Sequence, residues 1–291
     1  MPHFVHGERR LYFADSGGGG EPLLLLHGLG SRSDDWQLQW DPLAAEFRVL
    51  ALDIAGHGAS DPLCGPVTMA DLAGDALALL DHLGIARTHV GGFSLGGMLA
   101  FQLATDRPER LLSLTVINSG PGFASGRWRL LLTLALRTLM IRGFGLPTLA
   151  KRIALKLFPR DSQQPLREQF LRSVAAADQK SYLKILRAIA AFNVRARLGN
   201  CTVPALILCG DQDYTPTAFK QEYATLLPDA RLRLVADSRH ATPLDQAEIC
   251  NDAIIEFLRS VNAPGQGEKT EQIENNEKTD ENTEKVSLEI Q

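Results

Sequence analysis

Apolar residues in the first 120 positions, and again from 200 to 262, fall into short continuous runs rather than alternating ones. Leu23 to Leu26, Val49 to Leu52, Leu111 to Ile117 and Ala205 to Cys209 are the clearest. Such runs, bounded by Gly, Pro and polar residues, suit strands covered on both faces of a sheet. Between them, 68–83 and the stretch from Met98 to Ala104 carry apolar residues at helical spacing. Strand and helix alternating in this way predict an α/β fold with a mostly parallel, doubly wound sheet and right-handed crossovers. Residues 4–15 read as an opening hairpin, followed by a loop of four glycines, Gly17 to Gly20. Leu232 to Ala236 reads as the last strand, before a final helix.

The alternation stops at Ser119-Gly120-Pro121-Gly122. From about 126 to 197 the pattern is helical only, with breaks predicted at Gly143, Gly145-Leu146-Pro147 and Pro159. An all-helical insertion after the sixth strand of a sheet reads as a cap. The expected organisation is therefore a core of 1–120 and 200–262 and a helical cap of 121–199. Leu130 to Leu136 is strongly apolar but falls far short of the roughly 20 residues that cross a bilayer. Arg129, Arg137, Arg142, Lys151, Arg152 and Lys156 interleave with it and are expected to face solvent. The segment suits a helix packed on the core, and equally a greasy lid over an acyl or aromatic substrate that touches membrane surfaces. Residues 263–291 hold eight acids and three lysines with few large apolar side chains. They are expected to form a disordered acidic tail, since so little burial cannot offset ordering entropy.

Charge and cysteine usage narrow the partners. The formal net charge is −4, and the tail alone carries −5, which leaves the body at +1. A nearly neutral body speaks against a nucleic-acid partner. Cys64, Cys201, Cys209 and Cys250 are scattered, with neither C-x-x-C spacing nor pairing with His for a metal. Neither a metal nor an organic cofactor is implied. Unpatterned cysteines favour a reducing, cytoplasmic setting. Met1 to Glu8 lacks the apolar run of a signal peptide, and no transmembrane segment is expected.

The chemistry centres on Gly92-Phe93-Ser94-Leu95-Gly96, a G-x-S-x-G motif between a short strand and a helix. That context lifts a serine on a sharp turn above the sheet edge. Leu23 to Leu26 leads into His27-Gly28-Leu29-Gly30, whose loop can aim the Leu29 amide at an oxyanion, and Leu95 supplies a second amide. A serine hydroxyl needs a base and an acid that orients it. Of seven histidines, His3, His6, His82 and His89 read as structural or exposed. His27 reads as a backbone brace, and His57 is a lesser contender. His240 lies in the loop after the last strand, at the carboxyl edge where ligand chemistry concentrates in open α/β sheets. The acid should fall between Ser and His in the chain. Asp211 and Asp213 compete after the Ala205–Cys209 strand; Asp211 suits a turn cap and Asp213 reaches further, so Asp213 is preferred. The strand ending at Ile117 offers Asn118 and no carboxylate. The expected triad is Ser94, Asp213 and His240.

With these residues together, the chain resembles the α/β-hydrolase superfamily, in particular its small esterase and enol-lactonase-like members, over about residues 4–261. The resemblance rests on His27 to Gly30, Asp53 to Ser60, the elbow, Gly210 to Asp213 and Ser238-Arg239-His240. It implies the α/β-hydrolase fold, with Asp53 to Ser60 as a structural turn in which relatives usually carry Arg at the place of Ala55. Ser94 argues against haloalkane dehalogenases and most epoxide hydrolases, which carry Asp there. Hydrolysis of a small carboxylic ester or lactone with an apolar acyl group is the expectation. A perhydrolase or haloperoxidase-type activity and C–C bond hydrolysis stay open, although C–C hydrolases often place Asn where Phe93 stands. A non-catalytic small-molecule receptor on this fold is the alternative from another class, disfavoured because all three triad residues are present.

Overall fold

A computed structural model of the protein describes residues 2–122 and 127–263; the expectation of disorder for 264–291 lies outside them. Among the described residues eight strands form one sheet. They are β1 (His3–His6), β2 (Arg9–Asp15), β3 (Pro22–Leu26), β4 (Arg48–Leu52), β5 (Thr88–Phe93), β6 (Leu111–Ile117), β7 (Ala205–Gly210) and β8 (Ala230–Val235), in the order β1-β2-β4-β3-β5-β6-β7-β8. The β1–β2 and β2–β4 pairs are antiparallel and all pairs from β4 to β8 are parallel. The continuous apolar runs are the central strands: Leu23 to Leu26 are almost wholly buried, with helices on both faces. Edge strand β8 instead exposes Leu234 and alternates arginines, Arg231 and Arg233, with its leucines.

Six helices serve the sheet: α1 (Gln37–Ala44), α2 (Met69–His82), α3 (Leu95–Asp106), then, after a helical insertion, α8 (Thr217–Ala224), α9 (Thr242–Asp245) and α10 (Ala247–Asn262). A capping box starts α2: the Thr68 hydroxyl accepts the Asp71 amide while Asp71 accepts the Thr68 amide, which satisfies two otherwise orphaned donors.

Between β6 and β7 run α4 (Arg127–Phe144), α5 (Leu146–Leu157), α6 (Gln164–Ala175) and α7 (Gln179–Ala191). The break expected at Gly143 is absent, since that glycine lies inside α4; the helix ends at Gly145, whose φ of 80° the chain reaches easily only with glycine. The inner sides of these helices are apolar. Leu157 and Phe158 join Ala241 in one buried cluster, with Phe93 and Phe170 packed against it. Val174 and Tyr182 close over Gly30, so a Cβ there would stand 3.1 and 3.3 Å from their side chains. Side chains of α5, α6 and α7 therefore pack beside Phe93 and Gly30, on either side of the elbow. Arg137 departs from expectation, being half-buried rather than facing solvent.

Candidate active site

Each residue expected at the site lies in a loop that leaves a parallel strand at the same edge. Leu26 pairs with Gly92, Gly92 with Val116, and Ile117 with Leu208, so β3, β5, β6 and β7 end side by side. Their loops carry Leu29, Ser94, Asn118 and Asp213.

Ser94 has φ 53° and ψ −111°, a left-handed conformation that L residues avoid. Its surroundings hold it there. The Ser94 amide donates to Ile117, and the Ser94 carbonyl accepts from Ser119 Oγ at 2.6 Å and from the Met98 amide. The flanking glycines are required by close approach: a Cβ on Gly96 would stand 1.9 Å from the Leu26 carbonyl, and one on Gly92 would meet the Gly96 carbonyl at 2.3 Å. Either clash would push the elbow off the sheet.

His240 joins the two other expected residues. Its Nε2 lies 2.9 Å from Ser94 Oγ and its Nδ1 lies 2.8 Å from Asp213 Oδ1. Asp213 Oδ2 accepts from Lys220 Nζ and Thr215 Oγ1, each at 2.5 Å. Burial alone would raise this carboxyl's pKa. The His240 hydrogen bond and the His240 and Lys220 charges outweigh burial and hold it at about 2. Asp211, the competing acid, instead accepts the Ser238 amide at 3.1 Å and caps the turn.

Two backbone amides remain open at the elbow. Among the described residues, neither the Leu29 nor the Leu95 N–H donates a hydrogen bond. Leu95 is the first residue of α3, where the helix presents unsatisfied donors and partial positive charge. The next amide in the loop, Gly30, is already used, donating to His57 Nε2 at 3.0 Å. His27 likewise accepts the Ile54 amide at Nε2 and meets the Gly28 carbonyl at Nδ1. Burial pushes the pKa of His27 down to about 4 and that of His57 to about 3, so both rings stay neutral and brace the loop. Asp53 completes the bracing by accepting the amides of Ser33 and Ala59, with Ala55 fully buried in the turn.

Three further residues shape the site, and sequence reading passed over all of them. Asn118, set aside for lacking a carboxylate, clamps two loops. Its Nδ2 donates to the His240 carbonyl at 2.7 Å and to Thr242 Oγ1 at 2.6 Å, and its Oδ1 accepts the Gly210 amide at 2.9 Å. Its φ of 46° lies in a region that asparagine tolerates, which only the folded backbone reveals. Lys220 is fully buried against Asp213; a lysine in a polar helix gives no sign of this. Tyr214 lays its ring over His240, centroids 4.0 Å apart, with its hydroxyl 2.6 Å from Nε2. Most of the residue is exposed while the hydroxyl turns inward, and burial there raises the phenol's pKa and keeps it protonated.

The alpha/beta hydrolase fold family profile matches residues 21–247. The chain belongs to that family. It is 31 % identical over 270 residues to a dihydrolipoyllysine-residue acetyltransferase component of the acetoin cleaving system of Pseudomonas putida, covering 88 % of this chain and 68 % of that one. An enol-lactonase from Burkholderia xenovorans LB400 superposes with a TM-score of 0.82 at 26 % identity, over 89 % of this chain and all of the other. A thermophilic esterase from Thermogutta terrifontis gives 0.78 at 28 % identity, over 88 % and 95 %. The four described cysteines are free, and no helix among the described residues is long and apolar enough to cross a membrane.

Proposed function

We propose that this α/β-hydrolase cleaves small carboxylic esters or lactones through an acyl-enzyme on Ser94. The observation that carries this reading is one unbroken line of hydrogen bonds, Asp213 to His240 to Ser94, ending beside two unused amides. Ser94 Oγ attacks the carbonyl carbon while His240 Nε2 takes its proton. The amides of Leu29 and Leu95 hold the oxyanion, an interaction worth about 3–4 kcal/mol for each donor. His240 then protonates the leaving oxygen, and water repeats the sequence to release the acid. Asp213, kept ionised, orients the imidazole and stabilises its protonated form. The relatives named as enol-lactonase and esterase support the ester or lactone class. The apolar inner side of the cap, with Phe158 and Phe170 beside Phe93, supports an apolar acyl group.

Tyr214 adds a step. With the Nδ1 N–H donating to Asp213, Nε2 has a single lone pair, on which the hydroxyls of both Ser94 and Tyr214 converge. The Tyr214 oxygen occupies the position that a leaving oxygen or a hydrolytic water must take near Nε2. A substrate oxygen that reaches Nε2 must therefore displace the Tyr214 hydroxyl.

The test is turnover of p-nitrophenyl esters of increasing chain length and of neutral lactones, with peracid formation measured in parallel. Hydrolysis should dominate, and Ser94→Ala should lower kcat by about 10⁶. Peroxide-dependent activity exceeding hydrolysis would make the protein a perhydrolase, and full activity of Ser94→Ala would remove the triad.

A further inference from the structure

The site leaves the outside of the cap unexplained. Seven of the thirteen large hydrophobic side chains exposed among the described residues lie on α4 and α5 or at their junction. Trp128, Leu132, Leu136 and Leu139 follow at spacings of four, four and three, which puts them on one face of α4. Their exposures run from 52 to 68 %, whereas Leu134 and Ile141 on the opposite face are 7 and 1 % exposed. Phe144, at the end of α4, and Leu155 on α5 are 76 and 62 % exposed as well. A monomer that leaves so contiguous a strip in water marks an interaction surface.

Charge identifies what covers it. Arg127 to Arg160 contains eight lysines and arginines and not one acid. Arg142, Lys151, Arg152 and Lys156 are exposed, and none of them forms an ion pair among the described residues. A second copy docking through the same face would set this uncompensated charge against itself. Neither helix spans a bilayer. Leu and Trp on one side with flanking Lys and Arg is instead the pattern of a helix lying in a membrane interface. We infer that the outer face of α4 and α5 docks on an anionic phospholipid surface, with α4 in the headgroup plane. Because the inner side of the cap, at Leu157 and Phe158, packs beside Phe93, one helix layer separates that surface from Ser94.

The full chain should sediment with vesicles of phosphatidylcholine and phosphatidylglycerol and far less with phosphatidylcholine alone, and salt should weaken the binding. Replacing Leu136 and Leu139 by Glu should abolish it. Each of Arg142→Glu and Lys151→Glu should weaken it by at least about fivefold, the equivalent of about 1 kcal/mol per cation. Unchanged melting temperatures would show that the variants fold. No sedimentation of the full chain with anionic vesicles overturns the inference. Binding that appears only after truncation behind Ala263 would assign the surface to the acidic tail. A lipid-free dimer that becomes monomeric with Leu136→Glu and Leu139→Glu would assign it to a second copy.

Discussion

The carboxyl edge of the sheet and the outer face of the cap treat polar and apolar groups in opposite ways. At the edge, Asp213, Lys220, His27, His57 and Asn118 have buried, hydrogen-bonded side chains, and among the described residues the Leu29 and Leu95 amides donate to nothing. On the outer face of α4 and α5, leucines stand in solvent, and Arg142, Lys151, Arg152 and Lys156 form no ion pair among the described residues. A fully satisfied polar network is rigid, and rigidity suits groups that must meet a transition state within fractions of an ångström. A face with unsatisfied apolar area and charge suits an extended, imprecise partner. On the reading proposed above, the difference separates a place for chemistry from a place where the protein is held.

The contrast breaks first at Asp213. Asp213→Asn should lower kcat by up to about 10⁴, because it favours the wrong imidazole tautomer. Asp211→Asn should change kcat little, since its role is a turn. Steady-state kinetics on one activated ester compares the two, and the reverse ranking would hand the acid's role to Asp211.

Acid should dismantle the edge before it touches the cap. His27 and His57 have folded pKa values of about 4 and 3, below the ordinary 6.5. The unfolded chain therefore binds protons that the folded chain refuses, and stability falls as pH drops below 6.5. Each imidazole removes up to about 1.4 kcal/mol per pH unit in that window. Asp213, depressed to about 2, contributes stability that is present above the ordinary carboxylate range and is lost only as pH falls through about 2. Denaturant titrations at stepped pH should show this slope, and His57→Gln, whose carbonyl still accepts the Gly30 amide, should flatten it. A slope that is the same in His57→Gln would remove the ring from the balance.

Tyr214→Phe sharpens the picture on a smaller scale. Removing the hydroxyl frees Nε2 for Ser94, so acylation should speed up by a few fold, on the order of one lost neutral hydrogen bond. Pre-steady-state acylation by a p-nitrophenyl ester reads this step directly, and slower acylation would make Tyr214 a helper rather than a competitor. The smallest effect belongs to the cap. Leu136→Glu with Leu139→Glu should leave hydrolysis of a water-soluble ester and the melting temperature nearly unchanged, as expected of exposed substitutions. A large loss of either would mean that this face packs on the body.

What was legible in the chain follows the same division. Central strands declared themselves because burial on both faces demands unbroken apolar runs. Ser94 was nameable from its G-x-S-x-G turn, Asp213 because it follows the apolar run Ala205 to Cys209, and His240 because it lies in the loop after the last strand. The structure brings His240 within hydrogen-bond distance of both Ser94 and Asp213 and, among the described residues, leaves the Leu29 and Leu95 amides without an acceptor. Asn118, Lys220 and Tyr214 were not legible, since each acts through a partner that only the folded sheet brings near. Gly143 misled because glycine lowers helix propensity by only about 1 kcal/mol, which an otherwise favourable α4 absorbs.

The central claim is that Ser94 becomes covalently acylated, and intact-protein mass spectrometry tests it most directly. A fluorophosphonate should add one adduct to the protein, mapped by peptide sequencing to Ser94, and a slow ester substrate should leave its acyl group on the same residue. Ser94→Ala, folded by circular dichroism, should take up neither. Stoichiometric label on another residue, or turnover of esters by Ser94→Ala at the parent rate, would contradict the account.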